Sequence, residues 1–571
     1  MKILGLNFGG HDTSACLTIN GNLIAACEEE RYNKEKHTRQ FPEQAIKDCL
    51  KIANLKIKDI DIISYSNEPL VQIREKYLRL ALQNNERIKV LLDDIERIKG
   101  LYNTEHLIRQ KTGFKKKIEF LSHHLCHHAS TFYPSGFKNS LIVSYDGMGE
   151  IHSSLFGVGT GKKIQIIHEE NKYPDSLGLF YTAMTYFLGW KIYHDEGIIM
   201  GLAPYGNSKA IVPGGKKTYL DYFRDIIQID KQDILKYKIN SQWISYYEQR
   251  NTWFSEKFFS IFGKPRKPGS KIKTHHKNLA AALQDRLEEV VIKQLVYMQK
   301  KTKNKYLCIS GGVGLNCSLN GKIQDLKIFK EIFVQPASGD AGVAYGACIL
   351  SELKNNKKFK PKKNLDFYKG YRDNNFKIKQ NLKKSKLKYF DHKEKIFNVT
   401  AKLLSKGKII AWYQDGAEFG PRALGNRSIL AKPFPIQIKD HINKNVKFRE
   451  YFRPFAPAVI EEKLYDYFEI GQKSPHMLIA CQAKKSNAHK IPAVIHVDNS
   501  CRVQSVSKKI NYKFWKLIQE FDKITKIPVI LNTSFNIKGE PIVNTSEDAI
   551  RCFRKYNIDY LVLGSNLVKK R

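Results

Sequence analysis

The chain has 571 residues, 42% of them hydrophobic and 11% aromatic, which is enough to bury at least two substantial cores and excludes a disordered protein. No run reaches the roughly 18 apolar residues of a membrane helix, and the opening MKILGLNFGGHD enters strand-like sequence directly instead of a signal peptide, so a soluble cytoplasmic protein without a membrane partner is expected. The 96 basic and 56 acidic residues give a net charge of +40, which leaves nucleic acid or small phosphorylated ligands open as partners, although the excess is mostly lysine spread over the whole chain.

In chain order, the first element is a strand–turn–strand, ILGLNFGGHDTSACLTI, whose turn holds Gly9, Gly10, His11 and Asp12. Residues 70–116 show helical periodicity with many charges and are expected to insert a helical pair. In LSHHLCHHAS, His123 and His127 stand at i and i+4, as do His124 and His128, so either pair can project from one helix face toward one ion. A zincin would carry Glu after the first His, whereas Leu125 and Cys126 fill the middle here, so a hydrogen-bonded helix start is the competing reading.

The strand SLIVSY ends in Asp146, with Gly147 and Gly149 behind it, and PASGDAG places Asp340 in a second glycine turn. His123, His127, Asp146 and Asp340 make a mixed nitrogen and oxygen set suited to Fe(II), zinc or manganese, while either Asp by itself also fits a helix cap. Gly311, Gly312 and Asn316 follow the apolar strand YLCIS; with Gly147 they offer backbone and amide donors to a nucleotide, but form neither a P-loop nor a dinucleotide fingerprint. The ten cysteines stand without any C-x-x-C pair and read as reduced and mostly buried.

A Lys/Asn-rich stretch at 351–365, SELKNNKKFKPKKNL, marks a linker between an N-terminal domain, 1–350, and a C-terminal domain, 366–571. Beyond it, EFGPRALGNRS offers Arg422 and Arg427, KNVKFREYFRPF offers Lys447, Arg449 and Arg453, and CRVQS offers Arg502. Ser534 and Asn536 follow the strand IPVIL. Cations set in turns rich in Gly, Pro and aromatics suit polyanionic phosphates, the planar fork of Arg above all.

Taken in order, HDTSACL, EEERYNKEKH, HHLCHHAS, DGMGE, MGLAPYG, GGVGLNC, QPASGDAG, EFGPRALGNRSILA, FRPFAPAV, HVDNSCRVQSV and LNTSFNIKGEPIV resemble the O-carbamoyltransferases of the NodU, CmcH and TobZ type over nearly the entire chain. The resemblance implies an α/β protein: an actin-like (ASKHA) two-lobed, Kae-like N-terminal domain followed by a YrdC-like α/β domain. It implies that the C-terminal site makes carbamoyladenylate from carbamoyl phosphate and ATP with Mg, Lys447–Arg449 and Ser534–Asn536 matching the K-x-R and S-x-N pairs of YrdC. The N-terminal site would then pass the carbamoyl group to a hydroxyl of a small metabolite, with His11 as base, Asp12 as its orienter and the metal on the AMP phosphate. Ile198 stands where many relatives carry Lys, which puts one phosphate or acceptor contact in doubt. A fused enzyme of the tRNA threonylcarbamoyladenosine type is the alternative that +40 encourages, and a non-enzymatic nucleotide-binding regulator is a third. A homodimer is left open, and the acceptor is not legible.

Overall fold

A computed structural model describes residues 1–248 and 252–570. The apolar runs of the first 120 residues form a five-stranded sheet ordered Asn22–Glu28, Ser14–Ile19, Lys2–Asn7, Ile62–Tyr65, Lys117–Phe120. Its first three strands form an antiparallel meander and the last two join in parallel. Parallel neighbours require crossovers, and helices cover the sheet accordingly.

The same order and the same strand directions recur in a second sheet: Lys163–His168, Ser154–Thr160, Asn139–Tyr145, Tyr306–Ser310, Glu331–Val334. In each lobe the fifth strand leads into a helix, His123–Ser135 in the first and Val343–Asn355 in the second. These helices pack so closely that a Cβ on Gly346 would lie 1.9 Å from the Cys126 carbonyl oxygen. Two lobes of one topology match the two-lobed N-terminal domain that the family resemblance implies.

The C-terminal part is a mixed eight-stranded sheet with Ile410–Tyr413, Arg427–Ala431 and Val529–Ser534 at its centre. Helices Ile396–Ser405 and Tyr512–Thr525 cover one face through Trp412, Phe514 and Phe521. This domain is seated directly on the second lobe. Asn320 Nδ2 donates to the Leu478 carbonyl at 2.9 Å, and the Gln472 amide bonds both the N–H and the C=O of Ile332.

Two expectations change in detail. The region 70–116 holds several short helices between Pro69 and Thr112, broken near Asn84, Asp94 and Asn103, where a single helical pair was expected. The Lys/Asn-rich segment is helical as far as Asn355 because Ser351 and Glu352 are buried on its inner face. It then runs over the first lobe, with Phe359 packed on Gly21. All ten cysteines are free and buried, and among the described residues no helix is long and apolar enough to cross a membrane.

Candidate functional site

Helix His123–Ser135 starts at the end of the first lobe's fifth strand, so its first turn points at the strand ends of the second lobe. His123 Nε2 lies 3.3 Å from Asp146 Oδ2 and 3.5 Å from Asp340 Oδ1; His127 Nε2 lies 3.4 Å and 3.7 Å from the same atoms. The two imidazole nitrogens face each other at 3.1 Å. All four side chains are buried, with one donor atom from each inside a 4.8 Å cluster.

Asp340 Oδ1 is buried without a hydrogen-bond partner. Two inward-facing imidazole nitrogens, an orphaned carboxylate oxygen and a second carboxylate fit a divalent cation in donor type and number. Outer contacts fix these groups: Gly312 N–H donates to Asp146 Oδ1 at 3.0 Å, and His123 N–H donates to Glu150 at 2.9 Å. Burial opposes a charge on His123, but the carboxylates of Asp340 and Asp146 outweigh it and hold the imidazole well above its usual range. The same pairing outweighs burial at Asp146 and holds its carboxyl well below the usual range.

The other histidine pair looks away. His124 Nε2–H donates to the His152 carbonyl at 2.8 Å while Nδ1 accepts from Ser144 Oγ at 2.8 Å, so both nitrogens are engaged. His128 Nε2–H donates to the Leu155 carbonyl, and burial pushes its imidazole down to about 3. Cys126 is a packing residue between the lobes.

Beside the cluster, the glycine turn of the first hairpin presents His11 and Asp12. His11 Nδ1 lies 3.1 Å from Asp12 Oδ2, leaving Nε2 toward the cleft at 3.8 Å from Asp340 Oδ2. Burial opposes its charge, yet Asp340 and Asp12 raise the His11 imidazole to about 10. On the other side of Asp12 stands His37, Nδ1 to Oδ1 at 2.5 Å, a residue the sequence reading passed over inside the charged run EEERYNKEKH.

One cleft of about 1100 Å³ joins this turn to the C-terminal domain. Arg422, Lys447, Arg449, Arg453 and Arg502 line its far wall together with Ser534 and Asn536. Lys447 Nζ donates to the Ser534 carbonyl at 2.8 Å and to Asn536 Oδ1 at 2.5 Å. Arg449 donates to Asn443 Oδ1 at 2.7 Å, and Arg422 reaches across the domain boundary to the Leu315 carbonyl at 3.4 Å.

Among the described residues, Arg453 alone of these five has a carboxylate within ion-pair distance, Glu450 at 3.7 Å. Burial and then Arg502 push Arg422 down to about 9, and burial with Arg449 holds Lys447 well below the usual ammonium range. Lys36, also unremarked in the sequence, faces the same cleft. Positive charge this crowded and this poorly paired suits an anionic ligand.

Two sequence expectations need correction. Arg427 does not face the cleft. It is fully buried, stacks 3.7 Å over the Tyr413 ring and donates to the carbonyls of Gln414, Asn426, Tyr371, Asp415 and Asn544. Gly311 does not line the cleft: its φ is +85° and a Cβ would lie 2.1 Å from the Tyr145 carbonyl oxygen, so strand packing requires the glycine. Asn316 keeps its place on the cleft while its amide caps Leu319 N–H and pairs with Gln284. Gly147 and Gly312 line the cleft with it, as does Ile198.

Residues 2–349 match the family model of the carbamoyltransferase N-terminus, and residues 401–570 that of the carbamoyltransferase C-terminus. The chain is 35% identical to an uncharacterized protein of Synechocystis over 100% of this chain and 96% of that one. It is 36% identical to nodulation protein NolNO of Sinorhizobium fredii, over 98% of this chain and 79% of the relative. Among solved structures, (R)-2-hydroxyglutaryl-CoA dehydratase component A of Acidaminococcus fermentans overlaps 62% of this chain and 98% of its own at 14% identity, with a TM-score of 0.32.

Proposed function

The chain belongs to the carbamoyltransferase family, and we propose that it is an ATP-dependent O-carbamoyltransferase with two half-sites opening on one cleft. The observation that carries this reading is the C-terminal wall: five cations around one space, four of them without a carboxylate partner among the described residues. ATP and carbamoyl phosphate are the polyanions such a wall would pair. With water they yield carbamoyladenylate, phosphate and pyrophosphate. Lys447, held against Ser534 and Asn536, and Arg449, held by Asn443, are fixed donors for phosphate oxygens.

In the second step the acceptor hydroxyl oxygen bonds to the carbamoyl carbon, AMP leaves with the electron pair of the broken C–O bond, and the hydroxyl proton goes to His11 Nε2. His11 is set for this role as the distal nitrogen of a His–Asp pair facing the cleft. With no cation at the neighbouring cluster it is an imidazolium near neutral pH, so its use as a base requires the charge of Asp340 to be engaged elsewhere. A divalent cation on His123, His127, Asp146 and Asp340, with Fe(II), zinc and manganese as candidates, would supply a Lewis-acidic contact for the adenylate phosphate. A shared cleft keeps a labile acyl-phosphate ester from bulk water between the two steps.

The test is to incubate the protein with ATP and Mg, with and without carbamoyl phosphate, and measure pyrophosphate. Release should depend on carbamoyl phosphate and fall about 100-fold in Lys447→Ala. Release unaffected by either change would sink the reading. Copurification of tRNA, with binding that falls steeply with salt, would favour the tRNA-modifying alternative that the +40 charge supports.

A further inference from the structure

Asp12 is held by two histidines at once. His11 takes one carboxylate oxygen through Nδ1 at 3.1 Å, and His37 takes the other through its own Nδ1 at 2.5 Å. Neither geometry comes free. Asp12 has φ +54° and His37 has φ +55°, left-handed conformations that non-glycine residues rarely adopt and that persist only where surrounding contacts enforce them.

Those contacts are present. Asn7 Nδ2 donates to the carbonyls of both His11 and Asp12 at 3.1 Å. The chain around His37 is zipped to the same turn by Gly9 N–H to the Arg39 carbonyl and Thr13 N–H to the Thr38 carbonyl, and His37 N–H donates to Glu30 at 2.8 Å. The segment carrying His37 is also pinned to the C-terminal domain. Arg31 pairs with Glu28 at 2.7 Å and donates to the Gly420 carbonyl at 2.7 Å, Gly420 N–H returns a bond to Glu28, and Lys34 pairs with Asp548 at 2.6 Å. Gly420 lies two residues before Arg422, whose guanidinium lines the cation wall.

We propose that His37 is a positioning residue for carbamoyl transfer: its Nδ1–H holds the far oxygen of Asp12, which fixes the His11 ring with Nε2 facing the cleft. An orienting carboxylate that can itself rotate fixes nothing, and a second donor on its other oxygen removes that freedom. Because residues 28–37 cross to the adenylate-forming domain, the orientation of His11 depends on that domain being docked. The inference rests on the proposed transfer role of His11.

The test compares His37→Ala with His37→Asn, whose Nδ2 occupies the position of the imidazole Nδ1 and can make the same bond. Each variant, in molar excess over ATP so that a single turnover is followed, is given ATP, Mg and carbamoyl phosphate. Pyrophosphate reports adenylate formation, and AMP reports release from the adenylate, with glycerol as the probe hydroxyl. His37→Ala should form pyrophosphate at the parent rate and release AMP about 10- to 100-fold more slowly, and His37→Asn should restore most of the AMP rate. The Nδ1 proton resonance of His11 in histidine-labelled protein should be lost in the Ala variant and kept in the Asn variant. Equal AMP rates in all three proteins, equal loss of AMP and pyrophosphate in His37→Ala, or no rescue by Asn would each overturn the role of His37. Absence of carbamoyl-phosphate-dependent pyrophosphate in the parent would instead overturn the proposed function.

Discussion

Arg422 and Arg427 leave the same Gly-Pro turn five residues apart, and only their surroundings separate a cleft-facing cation from a structural staple. Arg422 has one carbonyl partner and faces the cleft, whereas every nitrogen of Arg427 is taken by backbone. Arg427→Ala should therefore cost about 3 kcal/mol, read by urea unfolding, because it strands several buried carbonyls. The apparent KM for carbamoyl phosphate should stay at the parent value. The histidines carry the same lesson. Spacing alone offered two equivalent pairs, and the choice of His123 with His127 came from the family pattern, which supplies Asp146 and Asp340 in their glycine turns. His37 stayed hidden because a lone histidine in EEERYNKEKH looks like part of a solvated charged face, and the left-handed turn that aims it at Asp12 leaves no glycine to mark it.

Between elements, the decisive contact is helix His123–Ser135 against helix Val343–Asn355, where Gly346 lets the backbones meet. One helix carries two candidate ligands in its first turn, and the other follows directly on the turn that carries Asp340. Their spacing therefore sets the width of the cluster. Gly346→Ala should destabilise the protein by about 2 kcal/mol in thermal or urea unfolding and lower bound metal measured by elemental analysis. Strands and helices themselves were mostly readable from apolar runs and glycine turns. The breaks inside 70–116 were not, since helical periodicity runs on through Asn84, Asp94 and Asn103, where the backbone turns.

At the scale of the molecule, two lobes of one topology and a third sheet enclose a single cleft. The duplication was invisible as a repeat because equivalent strands share an apolar pattern and a direction, not residues; it was expected only through the family resemblance. The cations of the far wall were readable one by one, yet their meeting with the His/Asp cluster on one cleft depends on how the C-terminal domain sits on the second lobe, through Asn320 and Gln472. The central claim is that adenylate formation and the histidine cluster are separate half-sites within that cleft. It is tested most directly by His123→Ala, with bound metal and carbamoyl-phosphate-dependent pyrophosphate measured on the same preparation. The account predicts that metal is lost while pyrophosphate release stays near the parent rate; loss of both together would contradict it.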